Sequence, residues 1–192
     1  MPNPTIVLVH GAFGDASSWR PVFDRLAGDG HTVLAPPNPL RGIPYDASHT
    51  ASVNDLQGRF PSLAMGPLVQ PVSLPDGSLE LSIDPARFHD VFCADLPDAD
   101  AAFMAISQRP VSAAAFDDPA TAAAWRAKPS WAVFGTADRP VAPELHRFSY
   151  HRAGSTVTEV EGASHYLMMS QPDIVAGVIR EAVIASAVNR AA

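Results

Sequence analysis

The chain has 192 residues, 47% of them hydrophobic and 17% charged, with a formal net charge of -7. This length and balance fit one well-cored domain with a small appended subdomain and exclude a disordered chain. The acidic balance, with no Lys/Arg patch, excludes a nucleic-acid partner. The single cysteine excludes an intramolecular disulfide, and the absence of a long apolar run excludes a membrane partner.

The start of the chain lacks the basic, apolar and small-residue succession of a secretory leader, so a cytoplasmic location is expected. Thr5–Val9 is a β-branched and apolar run, predicted as a strand buried on both faces. His10-Gly11-Ala12-Phe13-Gly14 follows as a loop. Asp15 or Ser17 can cap the next helix, along which Trp19, Val22, Phe23 and Leu26 recur at helical spacing. Gly28 and Gly30 end it, and His31–Ala35 is a second strand. A strand–helix–strand unit implies a parallel pair. Pro36–Pro44 is a proline-rich loop, and Ser52–Phe60 a short helix limited by Gly58 and Pro61.

Val69–Leu74 and Leu79–Ile83 flank Pro75-Asp76-Gly77-Ser78 and predict a hairpin. Pro85–Cys93, Pro97–Gln108 and Pro119–Ala127 read as helices opened by proline. Ser130–Phe134 and Thr156–Glu161 are predicted strands, and Pro143–Tyr150 and Gln171–Val188 predicted helices. The expected organisation is an α/β core over residues 1–50 and 128–192, with a helical lid containing a small hairpin over residues 51–127.

Two residue pairs carry chemistry. Asp138 follows the Ser130–Phe134 strand through Gly135-Thr136-Ala137, and His165 follows the next strand 27 residues later. Acid and histidine just past parallel strands meet at the carboxyl edge of a sheet, where ligand sites lie. There the aspartate holds the imidazole in one tautomer and leaves its other nitrogen as a general base. The ordinary alternatives are a turn aspartate paired with Arg139 and a loop histidine. His10-Gly11 after a buried strand suits an oxyanion loop, in which the N–H of Ala12 or Phe13 faces a developing negative charge. The alternative there is a plain strand-to-helix turn.

His31, His49, His89, His146 and His151 lack metal-ligand spacing, and His146 and His151 diverge on a helix. No metal and no cofactor are expected. Ser17 and Ser18 suit capping better than nucleophilic attack, and Cys93 reads as a small buried apolar residue. No G-x-S-x-G occurs in the chain.

Val7-Leu8-Val9-His10-Gly11-Ala12-Phe13, Ser18-Trp19, Ala35–Gly42, Gly135-Thr136-Ala137-Asp138-Arg139-Pro140 and Val160-Glu161-Gly162-Ala163-Ser164-His165 together resemble the α/β-hydrolase superfamily, in its small cap-bearing esterase-like branch. The resemblance implies that Asp138 is the triad acid, His165 the triad base and Ala12 an oxyanion-hole donor. It also implies a strand, a nucleophile elbow with its helix, and another strand near Ala51–Asn54. Such a block takes roughly 35–45 residues, and here the chain passes straight towards the expected lid.

The fold class expected is therefore α/β, a reduced hydrolase-type parallel sheet of about four strands. In it Thr5–Val9 pairs directly with Ser130–Phe134 so that no buried backbone group is orphaned. The leading reading is an esterase-like serine hydrolase by ancestry that lacks its nucleophile, with a small molecule held in the lid cleft. The alternatives are a hydrolase that recruits Ser17, Ser18 or a water activated by His165, a non-catalytic small-molecule binder, and a truncated gene product.

Overall fold

The computed structural model describes residues 4–37, 66–116 and 127–191. The helices expected over Ser52–Phe60 and Pro119–Ala127 lie outside these residues, but for Ala127. So does most of the Pro36–Pro44 loop.

The chain begins as predicted, with a parallel βαβ unit. Strand β1 (Ile6–Val7) pairs in parallel with β2 (Val33–Leu34), and hydrogen bonds from Ile6 N–H to the Thr32 carbonyl and from Leu8 N–H to the Leu34 carbonyl extend the ladder. Between them, Asp15 accepts from the Ser17 N–H and opens a 3-10 turn that leads into helix α1 (Arg20–Gly28), with Pro21 in its first turn. Val22 and Leu26 of α1 are fully buried against Ile6 and Leu8.

In the middle of the chain, β3 (Val69–Ser73) and β4 (Leu79–Ile83) form the predicted antiparallel hairpin. Its turn is closed by the Leu74 N–H on the Ser78 carbonyl and by Asp76 accepting from Ser78. A short strand β5 (Val111–Ser112), which the sequence pattern did not signal, adds to β4. Helix α2 (Pro85–Phe92) is capped by Asp84, and helix α3 (Asp98–Ser107) carries Asp98 and Asp100 in its first turn, where the helix dipole favours negative charge. Phe88, Val91, Phe92, Ala101, Met104 and Val111 share a core of their own with Phe13 and Tyr166.

The last third holds β6 (Trp131–Gly135), α4 (Pro143–Ala153), β7 (Thr156–Val160), a one-turn helix α5 (Leu167–Ser170) and α6 (Pro172–Ala191). Strands β6 and β7 pair in parallel from Trp131 opposite Thr156 to Gly135 opposite Val160. Gly154, at φ +67°, ends α4 in the left-handed conformation that glycine adopts without strain.

Two expectations fail. Among the described residues β1 has only β2 as a partner and β6 only β7, so the predicted direct ladder between them does not form. Side chains, not backbone, join the two pairs. Ile6 and Leu8 meet Val133 and Val160 in one core, closed by Leu26, Leu167, Val175 and Ala176 from the helices. The strand around Val7 is also buried on one face only. Ile6 and Leu8 point inwards, while Val7 and Val9 are each 53% exposed. Among the described residues this strand has one parallel neighbour and helices packed on its inner face, and none of them covers the other face. The fold class holds: parallel pairs with flanking helices, beside a helical segment that contains a hairpin. No helix among the described residues is long and apolar enough to cross a membrane.

Gly135 fixes how the end of β6 meets the loop after β7. A methyl group on it would run into the backbone carbonyl of Ala163 and lie 2.8 Å from the Ser164 carbonyl oxygen. Neither neighbour is a flexible side chain that can move aside. Gly135→Ala is therefore expected to cost about 3 kcal/mol or more. Gly28→Ala, where an added methyl meets nothing, should stay within about 0.5 kcal/mol of the parent. Urea-unfolding midpoints of the two variants provide the comparison, and equal midpoints would show that the close approach is not a constraint.

Candidate active site

Two loops at the carboxyl ends of β6 and β7 are stitched together by their backbones. Thr136 N–H donates to the Val160 carbonyl and Ala137 N–H to the Ala163 carbonyl, both at 3.0 Å. The Gly162 N–H returns a bond to Thr136 Oγ1 at 2.9 Å. This stitching brings Asp138, at the end of one loop, to His165, at the end of the other. The His165 Nδ1 to Asp138 Oδ2 distance is 2.8 Å, within the range of a charge-assisted bond.

Asp138 is buried, and Arg139 turns away from it to pair with Asp90 on α2. The structure thus sets aside the plain Asp138–Arg139 turn pair. Burial on its own would push the Asp138 carboxyl up, but it is outweighed. Electrostatic attraction to His165, the His146 and His165 hydrogen bonds and the Val141 N–H together hold the carboxyl well below the usual carboxylate range. An ionised carboxylate only accepts, so the His165 nitrogen facing it carries the proton as Nδ1–H. In the neutral ring Nε2 is then the free lone pair. Among the described residues no serine or cysteine side chain is hydrogen-bonded to that Nε2.

The sequence reading missed His146. It lies on the first turn of α4, and its Nε2 is 2.9 Å from the same Asp138 oxygen. The usable signal was Asp138-Arg139-Pro140 followed at once by a proline-opened helix, which folds the first turn of α4 back over the aspartate.

Neighbouring contacts hold the histidine loop against α2. The Phe92 ring meets His165 edge-on at 5.4 Å, and the Tyr166 N–H donates to the Phe92 carbonyl. Asp95, just past α2, accepts from the Ser164 N–H and from the hydroxyls of Ser164 and Ser170.

The Ala12–Phe13 loop also packs against Phe92, with the Phe13 and Phe92 rings 6.1 Å apart. Neither the Ala12 nor the Phe13 N–H has a partner among the described residues. The left-handed position in this loop is Phe13, at φ +62°. An L-residue held in that region marks a backbone fixed by its surroundings. Here Phe13 is held by aromatic packing and by the Tyr166 hydroxyl on its carbonyl, while Gly14 lies so close that a methyl would be 2.8 Å from that hydroxyl.

The other candidate nucleophiles are committed elsewhere. Ser17 Oγ donates to Asp15 Oδ1, and Ser18 Oγ to the Asp15 carbonyl. Burial pushes the Cys93 thiol up to about 12, so it carries no thiolate near neutral pH. No group of three or more His, Cys, Asp or Glu suited to a metal occurs among the described residues.

The depressed Asp138 carboxyl makes stability depend on pH with a definite sign. Its folded value lies below the unfolded value of about 3.9, so its contribution is complete above that value. The contribution is lost as pH falls through the folded value. Asp138→Asn should cost about 2 kcal/mol at pH 7, and the gap to the parent should narrow below about pH 4. Urea unfolding at pH 7 and pH 3 measures both, and a gap independent of pH would show that the charge is not what stabilises.

Comparison with known proteins bears on the fold and the lineage. The model of the alpha/beta hydrolase family matches residues 56–178, more than half of the chain. No curated protein matches the sequence. Among solved structures, polyneuridine aldehyde esterase is similar with a TM-score of 0.73 at 16% identity, over 97% of this chain and 100% of that one. A pyrethroid hydrolase from Sphingobium faniae JZ-2 is similar with a TM-score of 0.66 at 18% identity, over 95% and 98% of the two chains. A methylesterase from Arabidopsis has a TM-score of 0.69 at 13% identity, over 93% and 98%. At these identities the structural likeness shows the fold, and the family match shows the lineage: the chain belongs to the alpha/beta hydrolase family.

Proposed function

We propose that this is an esterase-like hydrolase by descent that retains the acid–base half of a catalytic triad and lacks its nucleophile. One observation carries the reading. His165 is held by Asp138 through Nδ1 with Nε2 left free, in a chain that contains no G-x-S-x-G. Asp138 serves as the acid that orients the imidazole, His165 as the base, and the N–H groups of Ala12 and Phe13 as oxyanion donors. The segment over residues 66–116 serves as the lid, and a small carbonyl compound is the ligand of the cleft beneath it.

Without a serine, the chemistry left to this arrangement is direct hydrolysis. His165 Nε2 takes a proton from water while the resulting hydroxide adds to the ester carbonyl carbon. The carbonyl oxygen takes the negative charge and faces the Ala12 and Phe13 N–H groups. Collapse then breaks the bond to the alkoxy group, which leaves with the proton held on His165. This route forgoes the covalent acyl-enzyme step that divides a hard reaction into two easier ones. Loss of a triad nucleophile costs on the order of 10⁶ in turnover.

The small hollow lined by Gly14, Ser17, Ser18, Gln108 and Tyr166 holds about 10 Å³, room for a single water, and neither Asp138 nor His165 lines it, so it is not the ligand cleft.

Turnover of p-nitrophenyl acetate and p-nitrophenyl butyrate tests the proposal. The expected rate with either ester is close to that of buffer, with only a small further loss in His165→Ala. Enzyme-like turnover that disappears in His165→Ala would overturn it and point to a recruited nucleophile.

A further inference from the structure

The Asp138 carboxylate serves two histidines through one oxygen. His165 Nδ1 is 2.8 Å and His146 Nε2 2.9 Å from Oδ2, while Oδ1 accepts from the Val141 N–H. Since the carboxylate is acceptor-only, both facing nitrogens carry hydrogen. The two rings therefore stand in opposite tautomers, His165 as Nδ1–H and His146 as Nε2–H. The His146 tautomer is fixed from its far side as well, because its Nδ1 lies 3.2 Å from the Tyr150 hydroxyl and, lacking a proton, accepts from it.

The His146 ring has little freedom to leave. It packs against Phe134, at 4.8 Å and 22°, and Tyr150, at 5.5 Å and 19°, which also meet each other at 5.9 Å, and its side chain is 11% exposed. The nearby guanidinium of Arg147 lies over the Phe134 ring and is bound to Glu159, so it does not compete for Asp138.

We propose that His146 is a positioning residue of the acid–base site, which divides the hydrogen-bonding capacity of Asp138 Oδ2 with His165 and so limits how strongly that oxygen grips the base. Tyr150, His146, Asp138 and His165 then form one hydrogen-bonded chain, in which both histidines donate to Asp138. The inference rests on the reading of Asp138 and His165 as an acid–base pair. It adds that the strength of that pair is set from α4.

The test uses the full chain labelled with ¹⁵N and follows the His165 Nδ1–H proton resonance, assigned by its loss in His165→Gln. In His146→Phe the unshared oxygen should bind His165 more tightly. The resonance is then expected to move downfield and to exchange with solvent several-fold more slowly. In His146→Gln, whose amide nitrogen stands where Nε2 does, it should return to the parent position. Should His146→Phe fail to fold, His146→Asn replaces it, since its shorter amide stands at the Nδ1 position and cannot reach Oδ2.

A resonance unmoved by loss of His146, but displaced in Asp138→Asn, overturns the inference and leaves the acid–base pair standing. So does a downfield move that His146→Gln fails to reverse, since that would mark a packing effect. A resonance unmoved in Asp138→Asn overturns the pair itself.

Discussion

The structure turns on a charge that cannot be left alone. A carboxylate taken out of water is costly unless each of its oxygens is satisfied, and Asp138 is satisfied only if three separate pieces of chain converge. These are the turn before α4, the first turn of α4 itself, and the loop after β7. The β6–β7 register delivers the two strand ends side by side, and the close approach at Gly135 lets the loops bond to each other. The acid–base pair is therefore not placed upon a finished fold. Its desolvated charge is part of what defines the fold at this end of the molecule.

Much of this was legible in the sequence because it is local. Asp138 and His165 each follow a strand, and strand, turn and residue lie within a short window. The hairpin was legible for the same reason, since Pro75-Asp76-Gly77-Ser78 dictates its own turn. What failed was non-local. Nothing in the Thr5–Val9 run says which strand lies beside it, and a ladder with Ser130–Phe134 was inferred from the need to satisfy backbone groups. The protein instead bridges the two pairs with Leu26, Leu167, Val175 and Ala176. Burial of Val7 and Val9 was overestimated because a continuous apolar run looks the same whether one face or two is covered.

His146 was overlooked for a related reason. Judged by its spacing from His151 it suggested nothing, because its partner lies in the loop before its own helix. Phe13 shows the same limit. Positive φ is expected at glycine, and two glycines flank it, yet the aromatic packing of Phe92 and Phe116 places the left-handed residue between them.

Helix α2 and the residues just past it touch both the Asp138 loop and the His165 loop. Asp90 near its end binds Arg139 of the acid loop, and Asp95 just beyond it holds Ser164 and Ser170 on either side of the histidine. This makes α2 a fixed jamb rather than a moving door. Swinging it outwards would break the contacts that keep His165 against Asp138, so the site would come apart as it opened.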